Sequence, residues 1–236
     1  MKVSVCMATY NGEKYIKEQL ESILNQLDEE AEVVISDDHS TDNTLEIARC
    51  FSDSRIKIFT NTKNKGYAAN FENALEQASG DVIFLSDQDD VWLKDKVSIF
   101  LEHLKTSDFV VSNNTVVDAY LKTLHESHFA LYSVTKGFFK NLLFPRYVGA
   151  CMAFNNKVLQ ASLPFPSNRK LAAHDYWICL VAELFFKTQT IEVPCMLYRR
   201  HDSNASTGGI KSKNNLTHKM LVRAYVTYHL IKRAFR

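Results

Sequence analysis

The sequence predicts an α/β domain built on a mainly parallel sheet, and three observations predict it. Short apolar runs alternate with segments of helical periodicity, with short connections, over about the first 110 residues. The runs are continuously apolar rather than alternating, as in strands covered on both faces. Three of them end in polar or acidic clusters, and in such sheets ligands bind beyond the carboxyl ends of the strands.

The elements follow in order. "KVSVCMA" is a buried first strand, and "GEKYIKEQLESILNQL" a helix with Ile16, Leu20, Ile23, Leu24 and Leu27 at helical spacing. "AEVVISDD" is a second strand ending in acid. "STDNTLEIARCF" is a helix with Ser40, Thr41 and Asp42 as cap residues ahead of Leu45, Ala48 and Phe51. "RIKIF" is the third strand. "GYAANFENALEQASG" is a helix with Phe71, Leu75 and Ala78 on one side, and "DVIFLSD" the fourth strand. "KDKVSIFLEHL" is a helix and "DFVVSNN" a strand. Beyond residue 115 the rhythm degrades into an irregular, aromatic-rich stretch, expected to complete the site and face a partner molecule. "HDYWICLVAELF" restores a helix, "TQTIEVPCMLYRRH" reads as a short strand pair broken by Pro194, and "SNASTGGIKSKNN" as a polar loop. The final "LTHKMLVRAYVTYHLIKRAFR" is a basic amphipathic helix.

Composition narrows the function. The 236 residues suit one large domain, and 46% hydrophobic with 23% charged residues is ordinary for a globular protein. A formal net charge of +1 gives no basic excess for nucleic acid. Cys6, Cys50, Cys151, Cys179 and Cys195 are odd in number and widely spaced, which reads as reduced, mostly buried thiols in a cytoplasmic protein. The N-terminus lacks the apolar core of a signal peptide, and no apolar run reaches membrane-spanning length.

The chemistry concentrates at the strand ends. Asp87, Asp89 and Asp90 follow Val82–Leu85 within a few positions. Carboxylates this close repel unless a cation is shared among them. Two acids with one residue between them on a turn can hold Mg²⁺ or Mn²⁺, which keep waters and bind substrate phosphates. The competing reading is a solvated turn with capping aspartates. Asp38 ends an earlier strand at the same edge; its carboxylate can accept the N3–H of uracil or thymine, although a helix cap is its plain alternative. Tyr10 can stack on a flat base. Thr9 and Asn11 offer polar contacts, Gly66 marks a turn with positive φ, and Asn70 sits one turn into the next helix, toward the nucleotide.

"VSVCMATYNGEKYIKEQLESILNQ", "EVVISDDHSTDNT", "NKGYAANFENAL" and "GDVIFLSDQDDVW" together resemble, in order and spacing, the motifs of glycosyltransferase family 2, inverting enzymes with the GT-A fold. With the later motifs the resemblance covers residues 3 to about 205, and "SDQDDVW" with "RRHDSN" resembles the bacterial rhamnosyltransferase-like branch. It implies a Rossmann-like GT-A domain over residues 1–210, with a nucleotide-binding half at 1–114 and an acceptor-binding half at 115–210, and a basic amphipathic helix at 211–236. The chain ends soon after the last motif, short for this family. The resemblance implies that Asp38 reads the pyrimidine, Asp87 lies near ribose or metal-bound water, Asp89 ligates Mn²⁺ or Mg²⁺, and His201 completes the metal site or touches the diphosphate. Trp92, Gly149 of "GACMAF" and His174 fall on the donor and acceptor side. Asp175 takes the general-base position of a Glu-Asp pair, in which His174 replaces the usual glutamate.

The implied reaction moves a sugar from a UDP- or dTDP-sugar, with dTDP-rhamnose among the candidates, to a hydroxyl of a glycan or lipid-linked glycan in bacterial surface polysaccharide synthesis. A catalytically silent nucleotide-sugar-binding scaffold is the alternative, against which the joint presence of Asp38, Asp89, Asp175 and His201 argues. A sugar-nucleotide pyrophosphorylase would need a Gly-rich basic loop that "MATYNGEKY" does not provide. The basic tail at 214–236 fits either an interfacial helix on the inner face of an anionic membrane or packing against the domain or a second copy in a homo-oligomer.

Overall fold

Each apolar run of the first half becomes a strand in the computed structural model, which describes residues 1–63, 65–202, 204 and 215–235. Strands β1 (Val3–Thr9), β2 (Glu32–Asp37), β3 (Ile56–Thr60) and β4 (Val82–Ser86) pair in parallel in the order β3-β2-β1-β4. Thr9 lies opposite Asp37, and Met7 opposite Ser86, so the three polar clusters leave the sheet at one edge. Helices α1 (Ile16–Leu24), α2 (Thr44–Cys50) and α3 (Tyr67–Gln77) make the crossovers. Helix α1 buries Ile16, Leu20, Ile23 and Leu24, the stripe a 3.6-residue period places on one side.

Helix α2 starts at Thr44, later than the cap residues suggested. Asp42 Oδ1 accepts from Thr44 N at 3.0 Å, whereas Ser40 is captured by Asp37, its N–H 2.8 Å and its hydroxyl 2.6 Å from that carboxylate. Side-chain bonds that compete with the backbone hold residues 38–43 in a turn.

The second half completes the sheet. It contains β5 (Val91–Trp92), α4 (Lys96–Leu104), β6 (Phe109–Val117), β7 (Thr123–His125), α5 (His128–Tyr132), α6 (Phe138–Leu143), a 3₁₀ turn (Gly149–Cys151), β8 (Met152–Asn155), α7 (Asn156–Ser162), α8 (His174–Phe185), β9 (Thr188–Arg199) and α9 (Leu216–Ala234). The sheet order is β3-β2-β1-β4-β8-β6-β9-β5, with β7 on β6. Because β8 runs antiparallel to both β4 and β6, the strands β1–β4, β6 and β9 share one direction. The irregular stretch after residue 115 thus hides a central strand. Four residues carry too little periodicity to reveal it, and its pairing partners are remote in sequence.

The expected strand pair at 188–201 is one continuous strand. Pro194 does not end β9; it sits opposite Asn113, where the register against β6 shifts. The Asn113 amide donates to Glu192 O at 2.9 Å and supplies a bond the irregular ladder lacks.

Helix α8 anchors the site's floor. Trp177 is fully buried and donates Nε1 to Ser162 O at 2.8 Å; truncating such a ring to alanine costs about 3–5 kcal/mol. The approach to α8 is held by buried Glu72, which accepts from Phe165 N at 2.7 Å and pairs with Arg169. Helix α9 packs Val222, Tyr225, Val226 and Leu230 onto the domain. The predicted loop falls mostly outside the described residues, at 205–214. The described cysteines are all free thiols and only Cys50 is exposed, as expected.

Candidate active site

Hydrogen bonds between loops draw the strand ends together at one edge of the sheet. Asp38 N donates to Thr9 O at 2.9 Å, joining the first two clusters. Gln88 clamps the first to the third: its Oε1 accepts from Tyr10 N and its Nε2 donates to Tyr10 O, each at 2.9 Å. A Cβ at Gly12 would lie 2.3 Å from Gln88 Oε1, so a larger residue there would push the Gln88 side chain out of this clamp. Gln19, buried on α1, reaches Ser86 Oγ at 2.7 Å and Asp87 O at 3.1 Å. The Asn11 side chain accepts from Thr41 N at 2.9 Å and fixes the loop after β2.

Asp38 is nearly buried, and its two oxygens accept from Asn61 Nδ2 (2.8 Å) and Gly66 N (2.9 Å). Gly66 has φ of 123°, the positive-φ turn the sequence indicated, and only glycine adopts it freely. Each oxygen of a carboxylate has a further acceptor site. Tyr10 follows Thr9, whose carbonyl accepts from Asp38 N, and its side chain is exposed.

Three expected contacts are relocated. Asn70 is buried; its Nδ2 donates to Thr9 O at 3.0 Å and its Oδ1 accepts from Ser36 Oγ at 2.6 Å, so the amide ties α3 to the sheet. The Thr9 hydroxyl is likewise turned inward onto Asp37, at 2.9 Å. Trp92 lies in the core, with its ring against Phe84 and beneath the Lys96 ammonium 4.2 Å from the ring centroid. The apolar area of an indole outweighs its position on an acidic turn.

The acidic turn is electrostatically loaded. Burial first, then the charges of Asp89 and Asp175, push Asp87 up to about 7, against an opposing pull from Lys96. Asp90 is fully buried and also raised, chiefly by burial and then by Asp89 and Asp87; its Oδ1 accepts from Arg199 N at 2.9 Å and its Oδ2 has no partner. Lys96 is buried too and donates to Ala150 O at 2.9 Å, and burial lowers it to about 8. Asp87 and Asp90 therefore hold their protons more tightly than free carboxyls do, because burial and neighbouring acids outweigh the pull of Lys96.

Asp89 meets the end of β9. Its Oδ2 lies 2.8 Å from His201 Nε2 and 3.0 Å from Asn204 Nδ2, and the His201 ring packs on Tyr15 with centroids 4.7 Å apart. Arg199 holds this junction: Nε donates to Asp89 O at 2.7 Å, another nitrogen to Ala119 O at 3.0 Å, and a third pairs with Glu18. Sequence reading missed Arg199, Asn204, Gln88 and Lys96. The first two lie inside "RRHDSN", where the motif itself was the available signal. Among the described residues no cluster of three or more His, Cys, Asp or Glu side chains is arranged for a metal. Asp89 and His201 form a pair of donors that suits a cation completing its shell with phosphate oxygens and water.

On the opposite wall, Asp175 opens α8. Tyr67 meets this turn, its ring centroid 5.8 Å from that of His174; burial first, then the charge of Asp175, raises Tyr67, and the same charge adds to the rise of Asp87. Gly149 lies directly against this turn; a Cβ there would stand 2.9 Å from His174 Nε2 and 3.2 Å from Asp175 Cβ. The close approach that Gly149 permits is to α8. His174 is buried and stacked on Phe71 at 4.0 Å, both its ring nitrogens lack partners, and burial lowers its pKa.

Residues 4–163 match the sequence profile of the Glycosyl transferase family 2 domain. The chain belongs to glycosyltransferase family 2. It is 35% identical over 151 residues to an uncharacterized glycosyltransferase of Rickettsia felis, a match covering 64% of this chain and only 24% of that relative's length. Another relative is the dTDP-rhamnosyl transferase RfbG of Shigella flexneri, 33% identical over 233 residues, covering 92% of this chain and 79% of that one. Among solved structures, Staphylococcus aureus TarS in complex with UDP-GlcNAc superposes with a TM-score of 0.70 at 20% identity, over all of this chain and 73% of that one. The mannosyltransferase PcManGT from Pyrobaculum calidifontis, in complex with GDP-Man and Mn²⁺, gives 0.64 at 22% identity, covering 99% and 64%. These structural likenesses establish the GT-A fold.

Proposed function

We propose that this chain is an inverting glycosyltransferase that moves a sugar from a UDP- or dTDP-sugar to a hydroxyl of a glycan or lipid-linked glycan in bacterial surface polysaccharide synthesis. The observation that carries it is the joining of the strand-end loops of Asp38 and Asp87 through Thr9, Tyr10 and Gln88, with Asp89 bonded to His201, on a scaffold whose relatives are glycosyltransferases. Nucleotide and metal complexes of the structural neighbours support a nucleotide-sugar donor and a divalent ion. The 33% likeness to a dTDP-rhamnosyl transferase supports dTDP-rhamnose as the first donor to test.

Asp38 accepts the base N3–H, and Tyr10 covers the base face. Asp89 and His201 hold Mn²⁺ or Mg²⁺, which when bound neutralises charge developing on the leaving diphosphate. Asp87, bordering both Asp89 and Asp175, orders the ribose side. Asp175 takes the proton of the acceptor hydroxyl as that oxygen attacks the anomeric carbon from the face opposite the leaving group, and configuration inverts in one displacement. Residues 1–114 act as the nucleotide half and 115–210 as the acceptor half. His174, buried against Phe71, backs Asp175 on the acceptor side.

A donor panel with Asp175→Asn and Asp89→Ala tests this reading. One nucleotide sugar plus Mn²⁺ should raise the melting temperature and support transfer. Asp175→Asn should keep donor affinity and lose about 10²–10⁴-fold in turnover, whereas Asp89→Ala should lose the Mn²⁺-dependent part of nucleotide binding. Donor binding without any turnover across acceptors would favour the silent scaffold.

A further inference from the structure

We infer that α6 and the start of α9 form a docking face for an anionic lipid bilayer. Helix α6 and the residue after it hold Phe139, Leu143 and Phe144 at 76%, 50% and 59% exposure, more than a packed helix leaves to large apolar side chains. Arg223 of α9 donates to Leu143 O, which joins the two helices, and one turn earlier Met220 is 63% exposed. Charge follows the same segments. Residues 135–146 and 215–223 carry five basic side chains, Lys136, Lys140, Arg146, Lys219 and Arg223, and no acidic one, in a chain of 28 basic and 27 acidic residues. The excess is therefore local. Lys140 and Arg146 flank an open pocket of about 210 Å³ that Thr135, Asn141 and Phe144 complete, with the Arg146 guanidinium 5.4 Å from the Phe144 ring centroid. Cations around exposed aromatic and aliphatic groups match lipid phosphates above acyl chains. No helix among the described residues is long and apolar enough to cross a membrane.

The face is also coupled to α8. Tyr176, next to Asp175, donates its hydroxyl to Leu142 O at 2.8 Å, and Tyr147, two residues before Gly149, donates to Glu183 at 2.8 Å. Docking through α6 sets the acceptor wall beside the bilayer, where a lipid-linked hydroxyl would arrive. That consequence deepens the proposed acceptor class and rests on it; attachment to the bilayer does not.

Co-sedimentation of the chain with phosphatidylcholine vesicles, with and without phosphatidylglycerol, tests the docking. Binding should require phosphatidylglycerol and weaken as salt rises toward about 0.5 M. Phe139→Ser with Phe144→Ser, and separately Lys140→Glu with Lys219→Glu, should each lower partitioning about tenfold or more, with unchanged melting temperature and donor binding. Equal partitioning of both variants and the parent, or no binding to the anionic vesicles, overturns the inference. A concentration-dependent dimer that the Phe139→Ser/Phe144→Ser variant abolishes would overturn it in favour of a second copy as the occupant. Loss of donor binding in the parent chain, with vesicle binding retained, would instead count against the transferase reading.

Discussion

Gly149→Ala tests whether the acceptor wall is a tightly set machine part or a loose turn. The added methyl would lie 2.9 Å from His174 Nε2 and 3.2 Å from Asp175 Cβ, where ordinary contact begins near 3.4 Å. His174 has little room to retreat, because it is buried with its ring stacked 4.0 Å from Phe71. The strain therefore passes into the first turn of α8, and Asp175 is the next residue. Overpacking of this kind costs about 1–3 kcal/mol, or roughly 2–12 °C in melting temperature for a domain of this size. A displacement approaching 1 Å at a catalytic group costs about 10²-fold in rate. The proposed nucleotide side, built on Asp38 and Asp89, lies outside the clash. Initial-rate kinetics with calorimetric donor titration should then show kcat about 10²-fold down and donor Kd within about twofold. Retained kcat alongside a lowered melting temperature would refute the coupling of Gly149 to the base. A parallel loss of donor affinity would refute the separation of the two walls.

Three further outcomes follow from the same geometry. Asp87 titrates near 7 rather than in the usual carboxylate range, so the folded chain holds this proton more tightly than the unfolded one; its stabilising effect is full below the ordinary carboxylate pKa and disappears as pH rises through about 7. Metal-free melting temperature should therefore decline more steeply from pH 5 to 8 in the parent than in Asp87→Asn, and a slope unchanged by the substitution would refute the raised value. Arg199→Lys keeps the charge but loses the fork that reaches Asp89 O, Ala119 O and Glu18; Mn²⁺-dependent nucleotide binding should weaken about 10-fold or more, read by titration with and without the metal. Asp38→Ala releases both Asn61 and Gly66 N. Pyrimidine nucleotide affinity should fall about tenfold, and an unaltered Kd would remove Asp38 from base recognition.

Local pattern alone made the first half of the chain legible. Val3–Ala8, Val33–Ile35 and Val82–Leu85 are buried strands because continuous apolar runs between helical segments have few other places to go. Chain order then sends Asp38 and the acidic turn to one edge. The motifs likewise pointed to Asp89 and His201, whose side chains meet in the fold. Tertiary contact decided which polar groups remain available. Asn70 and Thr9 look like ligand contacts in sequence, yet their hydrogen bonds close on the sheet, because a buried amide or hydroxyl must find a partner wherever one stands. Trp92 follows three acids and still turns to the core. The antiparallel insertion of β8, the continuous run of β9 through Pro194, and the brace from Arg199 to the acidic turn join residues far apart in the chain. Periodicity records what a residue's neighbours along the chain require, whereas these features depend on partners that only the folded chain brings within reach.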